Sequence, residues 1–521
     1  MNTKIALYAL GCLLCGTVLA QNTVSVPTRE AEDTQHVMSH EYWQVWNDSE
    51  QARIDADIDK YRKKNADYKI KSIKKGTTVK VEQITSDFVF GASAFNFNQL
   101  GNSKSNKTYR ELFGTLFNRA TIPFYWKDFE PQPGTPRFAE RTIDTEKWWN
   151  KAKNPQYQPH WRRPAPEPIV KWCNQHNVAV HGHPLVWGNR KWMVPKWLQT
   201  EGIPQAERQI LDTLEIIAFA SYSIMSPAYS KMSPQEVYNL VPNYIQQMDT
   251  RTMQRIEQTM GHYQGRIESW DVVNESAIDY KKGILKPNQP MCKSTYGIMP
   301  ADYVFRSFAK AAECNKSGAL LNINDWDVTQ GYIDQVKEML DRGAKIDVIG
   351  SQMHLFNPQE CLDIAAGKEI DKGKLVTPQP IREFFSKLGS FGIPTCLSEI
   401  TITSAGNGKR GEMIQAIITR NLYRMWFSLP SMMGITWWNI VDNCGAPGEP
   451  NISGLFQRDM TPKMAYFALD HLLNHEWRTN LELQPDRKGE IHWRGFKGKY
   501  RLTWTAKDGS LQEAFIEVKN Q

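Results

Sequence analysis

Eight short apolar runs, separated by longer stretches with helical periodicity, constrain the fold of this chain more than any other feature. Short apolar runs that alternate with helices are typical of buried parallel strands, because each parallel strand needs a long crossover connection. Eight such units predict an α/β protein whose core is a (β/α)8 TIM barrel over residues 87–475. The predicted strands are 88–92, 117–121, 178–183, 267–273, 319–324, 347–352, 395–399 and 434–438.

Polar side chains of the kinds used in catalysis follow six of these eight runs directly. In barrels of this type the loops after the strands meet at one end, and the active site forms there. Chance loop polarity is a poor explanation for so regular an arrangement. The residues at these strand ends are His183, Asn274, Glu275, Asn324, Asp325, Gln352, His354, Glu399 and Trp438.

Two of the strand-end side chains, Glu275 and Glu399, form the most informative pair in the sequence. Cleavage of a glycosidic bond needs two carboxylates, one that protonates the leaving oxygen and one that attacks the sugar carbon or activates water. A single glutamate after a strand is most often a solvated surface residue, but two at the same end of a barrel indicate this chemistry. Asn274 precedes Glu275 and adds a neutral hydrogen-bonding group suited to a sugar hydroxyl.

Composition narrows the classes of function. The 63 basic and 56 acidic residues leave a net charge of only +7 over 521 residues, and no basic run with interleaved aromatic residues suggests a nucleic-acid groove. Eighteen tryptophans suit stacking on sugar faces, although most tryptophans in a large chain are core residues. After residue 20 the chain has no C-x-x-C pair and no clustered aspartate loop, so we expect neither a metal site nor a cofactor. We expect a monomer whose partner is a polysaccharide or oligosaccharide substrate.

Residues 1–20 are predicted to be a cleavable signal peptide. Lys4 gives the positive start, 5–14 form the apolar stretch, and a small-residue site precedes Gln21. The apolar stretch is too short to span a membrane, and no later segment is long enough. A lipoprotein signal around Cys12 is a weaker alternative. We therefore expect a secreted, periplasmic or cell-surface protein whose mature chain starts near Gln21. Disulfides are permitted in such compartments, but the pairing of the remaining six cysteines cannot be deduced from the sequence.

Several segments lie outside the barrel pattern. Residues 21–50 are polar and mixed, and we expect a poorly ordered linker there. Residues 51–86 predict a charged helix and a β-hairpin, and 476–521 predict four strands that pack with this hairpin as a small β-sandwich-like accessory. Two separate additions to the barrel are the alternative. The connections at 144–168 and 198–247 are longer than a barrel needs, and they are either binding loops or surface covers.

Six segments, taken together and in this order, resemble glycoside hydrolase family 10, whose known members are mostly endo-β-1,4-xylanases. The similarity covers roughly residues 50–475. The segments are H-G-H-P-L-V-W at 181–187, W-D-V-V-N-E at 270–275, N-D-W at 324–326, G-S-Q-M-H at 350–354, S-E-I at 398–400 and I-T-W-W at 435–438.

The resemblance implies specific roles. Glu275 would be the general acid/base and Glu399 the nucleophile of a retaining double displacement. His354 would help to keep Glu399 ionised, and the charge on Glu399 is expected to raise the pKa of Glu275 until the nucleophile is esterified. Asn274 would hold the sugar 2-hydroxyl. The other residues expected to bind substrate are His183, Trp187, Gln352, Trp438, Trp126 and Trp326.

The chain also departs from the family. Family members usually have an Asn and a Lys after strand two that hold the sugar beyond the one cleaved, whereas this chain reads I-P-F-Y-W-K-D at 122–128. Gly188 stands where a His is common, Thr401 stands where an Asp is common, and a second Trp is missing from 442–446. A site that hydrogen-bonds a hydroxyl rejects analogues that lack it. We therefore expect the cleavage chemistry to be retained and recognition of the distal sugar to be rebuilt.

These observations predict a secreted retaining β-glycosidase that hydrolyses xylan or decorated xylan in the manner of an endo-β-1,4-xylanase. The altered loop keeps a different β-linked glycan, or a glycoside with an apolar aglycone, as an alternative substrate. Another barrel glycosidase with glutamates after the same strands, such as a mannanase or a galactanase, is a second alternative. A barrel that binds carbohydrate without cleaving it is the third alternative, and mutation of Glu399 would change its carbohydrate binding little.

Overall fold

The computed structural model describes residues 25–74, 76–214, 226–294, 297–371 and 373–519. The predicted signal peptide at 1–20 lies outside these residues, and so does part of the connection at 198–247. Within the described ranges, no helix is both long and apolar enough to cross a membrane.

Eight parallel strands close into a barrel, which confirms the predicted fold class. Each strand pairs with the next along the chain, and the eighth pairs with the first, so the sheet has no open edge. Every predicted apolar run overlaps one of them. The strands are β1 (Val89–Ser93), β2 (Arg119–Pro123), β3 (Ala179–His183), β4 (Ser269–Asn274), β5 (Leu320–Asp325), β6 (Val348–Leu355), β7 (Thr395–Ile402) and β8 (Met432–Trp437).

The barrel strands are covered on both faces, which explains their nearly continuous apolar sequences. Every residue of β4 and of β7 is buried. A further short strand, Val186–Trp187, pairs with the carboxyl-terminal half of β4 and brings Trp187 opposite Asn274. The two segments of the resemblance that contain these residues therefore lie side by side.

One helix of the barrel follows each strand. Three of these helices begin with proline, which suits the first helical position because the N–H that it lacks has no partner there. The eight helices are Ser103–Thr115, Pro166–Gln175, Pro242–His262, Tyr303–Cys314, Gln330–Asp341, Pro378–Gly389, Lys409–Ser428 and Met464–Asp470. Additional helices are His40–Val45, Trp126–Phe129, Glu146–Trp149, Arg190–Met193, Gln205–Leu214, Pro227–Lys231, Pro234–Leu240, Ala277–Lys281 and Pro358–Ala365.

The expectation of a poorly ordered linker at 21–50 is wrong for its described part. Helix His40–Val45 and the following helix, Asp48–Arg62, pack on the barrel. Tyr42, Trp43 and Trp46 are buried in the same apolar cluster as the barrel interior. The prediction failed because it rested on the overall polarity of the segment and gave no weight to these aromatic side chains, whose burial stabilises the ordered chain.

The chain ends form a separate small unit of two antiparallel sheets. One pairs Lys63–Lys69 with Glu490–Phe496. The other has the order Asn480–Leu483, Val79–Gln83, Gly498–Thr505 and Leu511–Val518. The predicted hairpin is therefore wrong, because its two strands pair with carboxyl-terminal strands and not with each other. The early and late strands nevertheless share one apolar core, which contains Val79, Val81, Ile491, Tyr500 and Leu502.

All six cysteines of the described residues are free thiols. Five of them are buried, including Cys396 within β7. They act as small apolar core residues, as the position of Cys396 in a strand had indicated.

Candidate active site

A cavity of about 540 Å³ opens at the carboxyl ends of the barrel strands. Its lining is mostly apolar and aromatic, with a few convergent polar groups, which is the usual character of a small-molecule site. Nine of the ten side chains predicted for substrate binding or catalysis line it. They are Glu275, Glu399, His183, Trp187, Asn274, Gln352, His354, Trp438 and Trp326.

Trp126 is the exception, and the prediction that it binds substrate is wrong. A short helix begins at Trp126, directly after Tyr125, and turns the indole into the protein interior. The side chain is 4% exposed, and its Nε1 donates to Glu130 Oε2 at 2.8 Å. The preceding residue, Tyr125, lines the cavity instead.

Glu399 lies within β7 and is only 5% exposed. Its Oε1 accepts hydrogen bonds from Asn324 Nδ2 at 2.9 Å and from Gln352 Nε2 at 3.0 Å. Its Oε2 lies 3.4 Å from His354 Nε2. A buried carboxylate needs such donors to offset the loss of water. We call Glu275, Glu399, Asn324, Gln352 and His354 the carboxylate centre.

The amide of Asn324 has a defined orientation. Ser398, the neighbour of Glu399 on β7, donates from its hydroxyl to Asn324 Oδ1. The Nδ2 group then faces the carboxylate and also donates to Asn274 Oδ1 at 2.9 Å. Sequence analysis placed Asn324 at a strand end but gave it no role, although its alternation along β5 points it into the barrel.

Glu275 follows the last residue of β4 and has an unusual backbone conformation. Its φ is +54°, a region that residues other than glycine rarely occupy, and its N–H donates to the Asn324 carbonyl at 2.8 Å. Such strain is often found at functional sites. Burial, and then the charges of Glu399 and Asp325, raise the pKa of Glu275 to about 8. The side chain is therefore protonated at neutral pH, as a proton donor must be.

One amide nitrogen contacts both carboxyl groups. Gln352 Nε2 lies 3.2 Å from Glu275 Oε1 and 3.0 Å from Glu399 Oε1. The Oε1 atoms of the two carboxyl groups are therefore at most about 6 Å apart, so both groups face the same part of the cavity.

A buried aspartate orients the histidine beside Glu399. His183 Nδ1 lies 2.7 Å from Asp271 Oδ2, and His183 Nε2 lies 3.7 Å from Glu399 Oε1. Burial alone would raise the pKa of Asp271, but His181 and His183 outweigh it and hold that pKa well below its usual range. Sequence analysis assigned no role to Asp271, which lies three residues before the strand-end Asn274 on a strand whose residues are all buried.

Thr401 holds the second histidine of the site. His354 Nδ1 lies 2.9 Å from Thr401 Oγ1, and the imidazole stacks on Phe356 with ring centroids 4.5 Å apart. A neutral hydroxyl therefore orients His354 where the family usually has an aspartate. The support of His354 is changed in kind, as the sequence departure predicted.

Aromatic rings form much of the remaining lining. Trp438 makes edge-to-face contacts with Phe95 and His183, with ring centroids 4.9 and 5.4 Å apart. Trp326 is 40% exposed at the cavity, whereas Trp187 is largely covered. Flat rings of this kind suit the apolar faces of sugars.

The side of the cavity next to β2 is built from Tyr125, Arg162 and Arg163, which we call the β2 wall. The guanidinium of Arg163 lies 3.7 Å from the centre of the Tyr125 ring. Both arginines belong to the long connection at 144–168, which thus contributes to the cavity as well as covering the surface. Sequence analysis singled out that connection for its aromatic residues and missed the two arginines.

Comparison with known proteins gives a consistent picture. A family model described as glycosyl hydrolase family 10 matches residues 135–471. Endo-1,4-beta-xylanase B of Thermotoga neapolitana is 20% identical over 324 residues, which cover 60% of this chain and 74% of that protein. Endo-1,4-beta-xylanase A of Thermoanaerobacterium saccharolyticum is 24% identical over 315 residues, which cover 58% of this chain but only 22% of that protein. The chain thus spans less than a quarter of the second relative.

Among solved structures, native xylanase 10B from Thermotoga maritima is similar with a TM-score of 0.49 and 19% identity. The alignment covers 75% of this chain and 96% of that one.

Proposed function

Because the chain belongs to glycosyl hydrolase family 10, we propose that it hydrolyses β-glycosidic bonds in a xylose-containing polysaccharide by a retaining double displacement. One observation carries the proposal: Gln352 Nε2 contacts both Glu275 and Glu399. Retaining enzymes place their two carboxyl groups about 5–5.5 Å apart, and inverting enzymes place them about 6.5–9.5 Å apart. The short bridge through one nitrogen supports the retaining spacing.

In the first step, Glu399 attacks the anomeric carbon. A bond forms between its carboxylate oxygen and that carbon while the glycosidic C–O bond breaks. Glu275 gives its proton to the leaving oxygen, so the departing sugar leaves as a neutral alcohol. The raised pKa of Glu275 supports this role, because the proton is still present at neutral pH.

In the second step, water replaces the enzyme ester. Once Glu399 is esterified its charge is gone, and with it one of the causes that raise the pKa of Glu275. Glu275, which lost its proton in the first step, then stays ionised, accepts a proton from water and directs the hydroxide to the anomeric carbon. The ester C–O bond breaks, and Glu399 returns to its carboxylate form.

The other cavity residues are proposed to hold the sugar that is cleaved. Asn274 Oδ1 accepts from Asn324 Nδ2 and Gln352 Nε2, the two amides that also donate to Glu399, and from there Asn274 can reach a hydroxyl of that sugar. His183, Gln352 and His354 surround Glu399 with groups that can donate to oxygen. Trp187, Trp326 and Trp438 provide the aromatic surfaces.

Xylan is the first substrate to test, because the two relatives described above are both called endo-1,4-beta-xylanases. The β2 wall favours a variation on it, because Tyr125, whose ring Arg163 contacts, lies in the segment where the family usually has an Asn and a Lys. A decorated xylan, or another β-linked glycan, is therefore the second candidate. The pattern of residues 1–20 supports a secreted, periplasmic or cell-surface protein.

The test is a panel of β-1,4-xylan, glucuronoxylan, β-1,4-mannan and β-galactan, each incubated with the wild-type protein and with Glu399→Gln. We expect xylo-oligosaccharides from one or both xylans, and none with the variant. Release of sugars only from mannan or galactan would show that the same chemistry acts on a different substrate. Binding without Glu399-dependent release from any polymer would contradict the proposal and support a carbohydrate-binding barrel.

A further inference from the structure

The connection at 144–168 holds the β2 wall in place through a buried polar network. Arg137 donates to Asp144 Oδ1 at 2.5 Å, and His160 Nδ1 lies 2.8 Å from the same oxygen. Arg137 and Asp144 are almost completely buried. Gln99 then accepts from the Arg162 N–H at 2.8 Å and donates to the His160 carbonyl at 2.9 Å. This network ties the connection to the loop after β1.

The backbone at the arginines is strained. His160 and Arg162 have φ angles of +66° and +59°, which are uncommon for residues with side chains. Such conformations persist only where surrounding contacts fix them, and they are concentrated at ligand clamps and active sites. The strain here directs Arg162 and Arg163 into the cavity.

The two arginines make different numbers of hydrogen bonds, and the Nε of each has no hydrogen-bond partner among the described residues. Arg162 Nη1 donates to Asn439 Oδ1 at 2.9 Å and to the Cys444 carbonyl at 2.6 Å, and its Nη2 lies 3.7 Å from Glu449. Arg162 therefore has a carboxylate and two further acceptors, as expected of a residue that holds loops together.

Arg163 has fewer partners, although its side chain is only 12% exposed. Among the described residues, its guanidinium makes one hydrogen bond, from Nη1 to the Arg162 carbonyl at 2.9 Å. Its Nε forms an ion pair with Asp128 Oδ2 at 3.5 Å but makes no hydrogen bond there. Burial lowers the pKa of Arg163, because removing a cation from water is unfavourable.

We propose that Arg163 binds the carboxylate of a uronic acid unit of the glycan, beside the sugar that is cleaved. The assignment deepens the proposed function and rests on it for the identity of the polymer. A guanidinium pairs with a carboxylate through two parallel N–H donors, and this pairing is stronger than donation to a neutral hydroxyl. Tyr125 supports one face of the guanidinium, so its donor edge is oriented before the ligand arrives.

The test measures binding to two probes that differ only at one carboxyl group. They are a xylotetraose with one glucuronic acid side group and the same molecule after reduction of the carboxyl to an alcohol. Calorimetry on the Glu399→Gln protein prevents turnover during the titration. We expect this protein to bind the acidic probe about tenfold to a hundredfold more tightly than the reduced one, the range for a hydrogen bond to a charged group.

Further variants test whether Arg163 is the residue responsible for the preference for the acidic probe. Adding Arg163→Gln is expected to abolish the preference while leaving the affinity for the reduced probe within about threefold, which also shows that the protein is folded. Arg163→Lys should keep part of the preference, because lysine retains the charge but not the two-donor geometry. Lys127→Gln is the matched control, since it removes a nearby positive charge that is exposed and outside the cavity lining; the preference should remain.

Equal affinity for the two probes, or binding of neither, overturns the assignment of Arg163. So does a preference that survives Arg163→Gln. Turnover of the same probes by the wild-type protein separates this failure from failure of the proposed function. Cleavage without a preference contradicts only the uronic acid site, whereas a preference without any cleavage contradicts only the hydrolase.

Discussion

The carboxylate centre and the β2 wall face the same cavity but are built in different ways. Residues of the carboxylate centre lie on β5, β6 and β7 or directly after β4, so barrel register fixes their positions. The β2 wall is held by a long connection with strained backbone and a buried ion pair. In the proposed function, strand ends therefore carry the bond-breaking chemistry, and the connection at 144–168 contributes to substrate recognition.

Removal of Glu275 should have the largest effect on the carboxylate centre. For Glu275→Ala we expect kcat on polymer to fall about 10²–10⁴-fold, the usual contribution of a general acid. The loss should be smaller on aryl glycosides, whose leaving groups need no proton. Azide should restore turnover of these glycosides and give a β-glycosyl azide, identified by NMR. An α-azide would show that Glu275 is the nucleophile and reverse the assigned roles.

Activity should fall as pH rises through the pKa of Glu275. Because that pKa is raised to about 8, kcat/KM should decline about tenfold per pH unit above pH 8, as the acid loses its proton. The same shift affects the free energy of unfolding. Between about pH 4.5 and 8, Glu275 is ionised in the unfolded chain but still protonated in the folded one, so its contribution to stability is lost as the pH rises through this range. Initial rates from pH 5 to 10 test the first point.

The control for the pH profile is Glu275→Ala with an activated aryl glycoside. Its kcat/KM should lack this alkaline limb, because no proton donor is required. If the limb persists in that variant, another group causes it.

Disruption of the buried ion pair should affect the β2 wall more than the carboxylate centre. Asp144→Asn weakens the contacts with Arg137 and His160. Because breaking a buried ion pair is costly, we expect KM to rise about tenfold. Because Asp144 is remote from the two glutamates, kcat should change less than about threefold. Glu146→Gln is the matched control, as its pair with Arg110 is partly exposed and should matter little. An equal fall in kcat would show that the two regions are not separable.

Loss of the hydroxyl beside His354 should have the smallest effect. Thr401→Val removes the partner of His354 Nδ1, and we expect kcat to fall about threefold to tenfold, the range for one hydrogen bond. Thr401→Ser keeps a hydroxyl and should restore most of the rate. If valine has no effect, Thr401 does not orient the imidazole.

Local pattern predicted the barrel and both glutamates, because continuous apolar strands and polar strand ends are encoded within a few residues of each other. Contacts between distant segments were not predictable in this way. Val79–Gln83 pairs with strands some four hundred residues later in the chain, so its alternation could not identify its partners. Tyr42 and Trp46 become ordered only against a barrel surface that the sequence of 21–50 does not contain.

The same distinction applies within the site. Asn274 and Gln352 were predictable because they lie at or near the carboxyl ends of barrel strands. Trp126 was assigned wrongly because the helix that begins there, and not the strand before it, sets the direction of its side chain. Arg163 reaches the cavity through a network of Gln99, Asp144 and His160, none of which marks it in the sequence.

The central claim is that Glu399 forms a covalent intermediate at a rebuilt cavity, and the stereochemistry of the product tests it most directly. Proton NMR of the anomeric region, recorded in the first minutes of hydrolysis, identifies the product formed before mutarotation. A retaining double displacement predicts that the β-anomer appears first and that Glu399→Gln forms no product. Initial formation of the α-anomer, or undiminished hydrolysis by Glu399→Gln, would contradict the account.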